Sequence, residues 1–286
     1  MFSETGKGGG IMIQKGAEPF FLRGGSHGVL LLHGFTGSPA DLLLLGQSLQ
    51  RQGMTVLAPR IAGHGTTEED LSRQTGEDFL DSARDGYALL TGCCKKVSVV
   101  GHSMGGVLAF LLAAECKVHR IVSLATPVFI APERGADRLP PLKFCRGRYV
   151  PKQRKPMKNV PDAVNETYLT MPLVSIHELF GLMHMMTEQL GRVDRPTLIL
   201  HSLGDHTADP KSAAYLAEHI ATERKDVIYL KRSGHLLPLD KERDKVFALT
   251  AKFLLGKYHF RKHRHAEETK KPQETEQRRS VTKAKD

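Results

Sequence analysis

The chain has 286 residues, of which 40% are hydrophobic and 25% are charged, a composition typical of a globular protein with a packed core. No apolar run approaches the ~20 residues that a membrane-spanning helix needs, and the first residues lack the apolar stretch of a signal peptide. These features argue against a membrane-embedded protein, and we expect a cytoplasmic location.

The net charge of +10 is concentrated in two segments. Residues 143–158 carry seven lysines and arginines without an acid, and residues 257–286 carry ten with five acids. Such segments are either simply solvated or attract an anionic surface weakly. The second segment has few aromatic side chains for stacking bases, so we expect no nucleic-acid partner.

The four cysteines lack the spacing of metal ligands, and the adjacent pair Cys93 and Cys94 is poorly suited to a disulfide. We expect reduced thiols in or near the core, as in a reducing compartment. The sequence implies neither a metal nor a cofactor. The histidine-rich stretch 258–265 lies among positive charges, which disfavour binding of a cation.

Short apolar segments alternate with helical ones along most of the chain. Segments 11–13 and 19–22 are candidate edge strands. The predicted core strands are 28–32, 55–58, 96–100, 120–124, 197–201 and 226–230. The predicted helices are 39–52, 76–94, 104–115, 211–220 and 240–255. Continuously apolar strands separated by helices indicate an α/β fold with a mostly parallel sheet covered on both faces.

Two regions interrupt this alternation. Residues 128–192 are rich in proline, basic residues and methionine, with a helix predicted over 175–190. Residues 258–286 carry too few apolar side chains to offset the entropy of ordering, so we expect a disordered tail. The predicted organisation is an N-terminal segment 1–27, a core of 28–127 and 193–257, an insertion 128–192 and the tail.

The segment 97–106 (VSVVGHSMGG) contains the pattern Gly-x-Ser-x-Gly around Ser103. The bare pattern is common, but here it follows an apolar strand and opens a helix, the context in which it exposes a nucleophilic serine. Ligands bind at the carboxyl edge of such sheets. Ser103 is therefore the candidate nucleophile.

A serine hydroxyl needs a neighbouring base. Of the 14 histidines, His235 follows the last predicted strand and so lies at the same sheet edge as Ser103. Imidazole suits the task because its pKa is close to neutral. His33, His64 and His102 also lie near this edge, and we interpret them as packing or hydrogen-bonding residues.

The acid that orients the histidine should follow the preceding strand. The segment 197–210 offers Asp205 and Asp209. Asp205 follows Gly204 directly at the strand end, whereas Asp209 precedes Pro210 and is explained more simply as a helix N-terminal residue. We favour Asp205.

The negative charge that forms during acyl transfer needs donors already in place. The backbone N–H of Met104, which follows the nucleophile, is one candidate, and that of Phe35, in the loop after the first core strand, is the other.

These segments together resemble the α/β-hydrolase superfamily, in character closest to small bacterial carboxylesterases and monoacylglycerol lipases. The matching segments are 33–39 (HGFTGSP), 63–65 (GHG), 101–106 (GHSMGG), 205–210 and 233–235 (SGH). The resemblance implies an α/β-hydrolase fold, catalytic Ser103, Asp205 and His235, an oxyanion hole at Phe35 and Met104, and residues 128–192 as a cap. The basic stretch 143–158 and the polar tail depart from the small esterases.

The predicted activity is hydrolysis of a carboxylic ester, with an acyl-bearing small molecule as the substrate. Phe180, Met183 and Met186 are candidate substrate-binding residues, because methionine adapts to irregular shapes, although the same residues could equally bury the face of a cap helix. Acyl transfer with the same triad is an alternative. A non-catalytic binding protein is a third, weakened by the intact serine, aspartate and histidine.

Overall fold

A seven-stranded sheet forms the centre of the computed structural model, which describes residues 13–152, 156–165 and 167–260. Its strands are β1 (Phe20–Leu22), β2 (His27–Leu32), β3 (Thr55–Ala58), β4 (Lys96–His102), β5 (Ile121–Leu124), β8 (Thr197–Ser202) and β9 (Lys225–Leu230), and β6 (Tyr149–Pro151) and β7 (Thr170–Pro172) form a separate antiparallel pair. The order in the sheet is β1-β3-β2-β4-β5-β8-β9, with only β1 antiparallel to its neighbour.

The six predicted core strands are present within two residues of the expected bounds, and the predicted fold class is confirmed. Their side chains alternate between the two sheet faces, as the twofold repeat of a strand requires. On β2, Leu30 and Leu32 join one hydrophobic cluster, whereas Val29 and Leu31 join the cluster on the other face. Both faces are covered, so every residue of β2, β3, β5 and β8 is buried.

The helices are α1 (Leu43–Arg51), α2 (Glu68–Leu71), α3 (Gly76–Cys93), α4 (Met104–Glu115), α5 (Leu173–Gln189), α6 (Lys211–His219) and α7 (Arg243–Leu254). Helices α1 and α7 cover one sheet face, and α3, α4 and α6 cover the other. None of the helices in the described ranges is long and apolar enough to span a bilayer.

Helix α4 is apolar on all sides because it is covered on all sides. It packs on β4 and β5 beneath it, on α3 beside it and on α5 from the insertion. Ten of its twelve residues are buried. The insertion therefore completes the burial of the helix that follows Ser103.

Helix α7 begins at Arg243, three residues later than predicted. Asp240 lies in the preceding turn, where its carboxylate accepts a hydrogen bond from the Gly234 amide at 2.6 Å. Asp240 thus belongs to the loop before the helix.

The ends of the described chain bear on two predictions. Phe20–Leu22 forms an edge strand as expected, whereas Ile13 is not in a strand, and the rest of the candidate strand 11–13 lies outside the described residues. Tyr258 Oη lies 2.6 Å from Asp226 Oδ2, and the Phe260 ring packs against Phe253. The first residues of the predicted tail thus contact the core, and residues 261–286 lie outside the described part.

Candidate active site

Ser103 lies on a sharp turn between β4 and α4, with φ 54° and ψ −121°, a backbone conformation that a non-glycine residue adopts only under strain. Its amide donates to the Leu124 carbonyl at 2.9 Å. The turn demands glycine nearby: a Cβ on Gly105 would overlap the carbonyl group of Leu32 on the adjacent strand. The Gly-x-Ser-x-Gly pattern thus reflects the close approach of α4 to β2.

His235 lies in the loop between β9 and α7, and its Nε2 is 2.9 Å from Ser103 Oγ. Its Nδ1 is 2.8 Å from Asp205 Oδ2. An ionised carboxylate only accepts hydrogen bonds, so Nδ1 carries the proton and Nε2 is free to accept the serine hydroxyl. The structure therefore brings the three predicted residues into one hydrogen-bonded line.

The backbone around His235 is held at several points. His102 Nε2 donates to the His235 carbonyl at 3.0 Å, and Gly234 is bonded to Asp240. The buried Glu242 carboxylate accepts from the amide and hydroxyl of Ser233, each at 3.1 Å. These contacts fix the imidazole through its main chain.

Asp205 is enclosed at the end of β8, with a fully buried side chain. Its Oδ1 accepts the amides of Thr207 at 2.8 Å and Ala208 at 3.0 Å. Burial alone raises the pKa of Asp205, but hydrogen bonds from His201 and His235 outweigh it and hold the pKa well below its usual range. The carboxylate therefore stays ionised throughout the neutral range.

Asp209, the alternative acid, lies at the start of α6, where its Oδ1 accepts the Lys211 amide at 2.9 Å. This is the helix N-terminal position expected from Pro210. Among the described hydrogen bonds, His235 contacts the carboxylate of Asp205 and not that of Asp209.

The loop after β2 lies directly against Ser103. A Cβ on Gly34 would lie 3.3 Å from that of Ser103. Within the described ranges, neither the Phe35 amide nor the Met104 amide donates to a protein acceptor. Two N–H groups at this position could receive the oxygen of a tetrahedral intermediate.

Two residues of the insertion form hydrogen bonds to the loop after β2. Thr36 has φ 57°, and its carbonyl accepts Lys152 Nζ at 3.0 Å and Thr167 Oγ1 at 3.1 Å. Sequence reasoning did not single out Lys152, because its signal was lost among the neighbouring basic residues.

The other histidines of this edge are buried. Burial lowers the pKa of His33 and of His102 to about 4, and it lowers that of His64 well below the usual value. His33 donates from Nδ1 to the Gly34 carbonyl and accepts the Ile61 amide at Nε2. These neutral rings pack and hydrogen-bond, consistent with their interpretation from the sequence.

His201 is a residue that sequence reasoning missed. It is fully buried on β8, with Nε2 at 3.2 Å from the Ala208 carbonyl and 3.3 Å from Asp205 Oδ2. Its position four residues before Asp205, on the same sheet edge, was the available signal.

The candidate substrate residues lie on α5. Met183 and Met186 are buried in the cluster that covers α4, and Phe180 is half-buried against it. Their packing explains their apolar character, and their contact with substrate remains a prediction. Across the described residues, no cluster of three or more His, Cys, Asp or Glu side chains is arranged to hold a metal ion.

Comparison with known proteins gives one consistent result. Residues 29–249 match the alpha/beta hydrolase family. The chain is 33% identical over 246 residues to a thermostable monoacylglycerol lipase of Bacillus sp. (strain H-257), covering 84% of this chain and 95% of the relative. It is 31% identical over 238 residues to a carboxylesterase of Bacillus subtilis (strain 168), covering 83% and 96%.

Solved structures agree with the fold. A structure from work on the metagenome-derived lipolytic enzymes LipS and LipT superimposes with a TM-score of 0.77 and 27% identity, covering 86% of this chain and 100% of that one. The monoacylglycerol lipase of Paleococcus ferrophilus gives a TM-score of 0.71 at 18% identity, with 84% and 98% covered.

Proposed function

The chain belongs to the alpha/beta hydrolase family, and from this we propose that it hydrolyses carboxylic esters through an acyl-enzyme on Ser103. The observation that carries the proposal is the hydrogen-bonded line from Ser103 Oγ to His235 Nε2 and from His235 Nδ1 to Asp205 Oδ2, with distances of 2.9 and 2.8 Å. The lipase and carboxylesterase relatives support the reaction class.

The geometry suits a two-step reaction. Ser103 Oγ attacks the ester carbonyl carbon while His235 Nε2 takes the hydroxyl proton. The oxyanion is stabilised by the Phe35 and Met104 amides, and Asp205 stabilises the imidazolium. His235 then protonates the leaving alcohol, and afterwards it activates the water that releases the acid and frees Ser103.

The substrate class we propose is an ester with an acyl chain, such as a monoacylglycerol. Its support is the pair of relatives, one of which is named a monoacylglycerol lipase. A cytoplasmic location is part of the proposal, supported by the four cysteines, which are all free thiols.

Hydrolysis of p-nitrophenyl esters from acetate to palmitate, and of monoacylglycerols, tests the proposal. We expect wild type to be active and Ser103→Ala to lose at least about 10⁴-fold in kcat. Ser98→Ala is the matched control: Ser98 lies on the same strand, bonded to His27 at 2.9 Å, and its loss should leave turnover intact.

The dependence of activity on the acyl chain length of the ester then indicates the length of the acyl pocket. Labelling of Ser103 by a fluorophosphonate without activity on any ester would keep the triad and overturn the substrate class. An unlabelled, inactive but folded wild type would overturn the serine-hydrolase proposal itself.

A further inference from the structure

The loop of residues 140–149, here called the basic loop, is an ordered projection of the insertion. The buried Cys145 thiol lies 3.2 Å from the Pro140 carbonyl, which also accepts His177 Nε2 of α5 at 2.8 Å. The Arg148 carbonyl accepts the amide of Leu173, the first residue of α5, at 2.9 Å. The loop is therefore tied to α5 at both ends, and little entropy would be lost if its surface met a partner.

The outer side of the basic loop combines apolar and cationic side chains. Leu142 is 52% exposed and Phe144 is 56% exposed. Lys143 and Arg146 are exposed beside them, and Lys143 Nζ lies 4.9 Å from the Phe144 ring centroid. Large apolar side chains exposed next to cations are typical of a surface that binds a membrane or another macromolecule.

Within the described part of the chain, no carboxylate pairs with the cations of the loop. In the described ranges, none of Lys143, Arg146 and Arg148 forms an ion pair. Arg73, two residues after the end of α2, lines with the loop a groove of about 740 Å³. The groove is lined by Ser72, Arg73, Leu142, Lys143, Arg146, Gly147 and Val174, a set with three cations and no carboxylate.

We propose that the basic loop docks the protein on an anionic phospholipid surface. The cations meet the lipid phosphates, and Leu142 and Phe144 enter the boundary between headgroups and acyl chains. A nucleic acid would satisfy the cations but leave the aliphatic Leu142 in water. A second copy of the chain would bring like charges together.

The proposal does not depend on the ester hydrolase activity, since it concerns a surface separate from Ser103, His235 and Asp205. It assigns the anionic contact to the insertion rather than to the C-terminal segment.

Sedimentation with phospholipid vesicles tests it on the full chain. We expect binding to vesicles of phosphatidylcholine with about a third phosphatidylglycerol, weakened by raised salt, and little binding to phosphatidylcholine alone. Each cation near such a surface strengthens binding about fivefold, so Lys143→Glu/Arg146→Glu should weaken it at least about 25-fold. Leu142→Ser/Phe144→Ser should weaken the component that survives high salt.

The matched control is Lys241→Glu/Lys252→Glu, which changes the net charge equally at exposed positions before and within α7. It should retain binding, because the field of these charges falls off within a Debye length. All variants keep the C-terminal segment, so a selective loss belongs to the basic loop. Unchanged hydrolysis of a short soluble ester and unchanged melting show that each variant is folded.

Four results would overturn the proposal. They are absence of vesicle binding by wild type, equal loss in the control variant, displacement from vesicles by glycerol phosphate at constant ionic strength, and tighter binding of a single-stranded oligonucleotide through the same residues. The third would indicate a small-anion site, and the fourth a nucleic-acid surface.

Discussion

Asp205 and Asp209 lie four residues apart, and replacing each by asparagine separates their roles. Asp205→Asn removes the charge that orients His235 and stabilises the imidazolium, so we expect kcat to fall by about 10⁴-fold. Asp209→Asn keeps an oxygen that can accept the Lys211 amide, and turnover should remain within a few-fold of wild type. Steady-state kinetics on one ester decides between them, and the reverse ranking would make Asp209 the acid.

We expect His201 to position the same carboxylate. Its Nε2 lies between the Ala208 carbonyl and Asp205 Oδ2. In His201→Phe both acceptors lose this donor, so we expect kcat to fall roughly tenfold with little change in KM, and stability to fall by about 1–3 kcal/mol.

His201→Gln keeps an N–H donor on a side chain of similar reach. This variant should recover part of the lost kcat. If His201 only filled space, the phenylalanine variant would have the higher kcat of the two. Measurement of kcat and KM beside thermal melting for both variants separates these outcomes.

At the scale of elements, α4 can lie close to β2 because residue 105 is a glycine. Gly105→Ala places a Cβ into the Leu32 carbonyl, so the helix must shift. We expect the free energy of unfolding to fall by more than about 3 kcal/mol, or the protein to fail to fold. Gly181→Ala on α5 is the matched substitution: its Cβ meets nothing within 4 Å, and helix propensity should stabilise the protein by up to about 1 kcal/mol.

Urea unfolding of the two variants measures this contrast. A Gly105→Ala protein as stable as wild type would mean that the close approach of α4 to the sheet is not required.

Element type was predictable wherever periodicity and a local stop signal coincided. The strand before Ser103 and the helix after it follow from an apolar run and a glycine-rich turn in sequence. The start of α7 was not predictable, because the Asp240 carboxylate accepts the amide of Gly234, six residues earlier, and so belongs to the loop before the helix. Local pattern cannot report a hydrogen bond whose partner lies in a different turn of the loop.

At the scale of the whole molecule, buried histidines couple stability to pH. Burial lowers the pKa of His27, His33 and His102 to about 4 in the folded protein, below the usual 6.5 of an unfolded chain. Above pH 6.5 both states are neutral at these residues. As the pH falls from 6.5 to about 4, the unfolded state takes up protons first, so stability decreases, by up to about 3 kcal/mol for each of the enclosed His33 and His102 and by less for His27, whose charge solvent partly screens.

The urea midpoint measured at several pH values across this window checks the prediction. Replacing one of the three should flatten the dependence, because it removes a group that titrates differently in the two states. His27→Gln is suitable because His27 contacts the Ser98 hydroxyl and not Ser103. A midpoint that does not change between pH 7 and 4.5 would contradict the assignment.

The α/β class and the order of the strands along the chain could be predicted without coordinates, as could the short list that contained Ser103, His235 and Asp205. These follow from local chemistry: apolar runs form buried strands, glycines permit a tight turn, and residues after parallel strands collect at one edge. The three residues were therefore expected to meet, and their side chains lie in hydrogen-bonding contact.

The residues that support the hydrogen-bonded contacts of Ser103, His235 and Asp205 became visible only in the folded chain. The contact of His201 with Asp205 depends on which way a side chain points. Two other features depend on segments that are distant in sequence: the hydrogen bond from Lys152 to the Thr36 carbonyl, and the burial of Met183 and Met186 against α4. The absence of ion pairs at the basic loop, as far as the described residues show, is also a tertiary result. A run of lysines and arginines shows its net charge in the sequence, but whether carboxylates from elsewhere neutralise it depends on what folding places beside it.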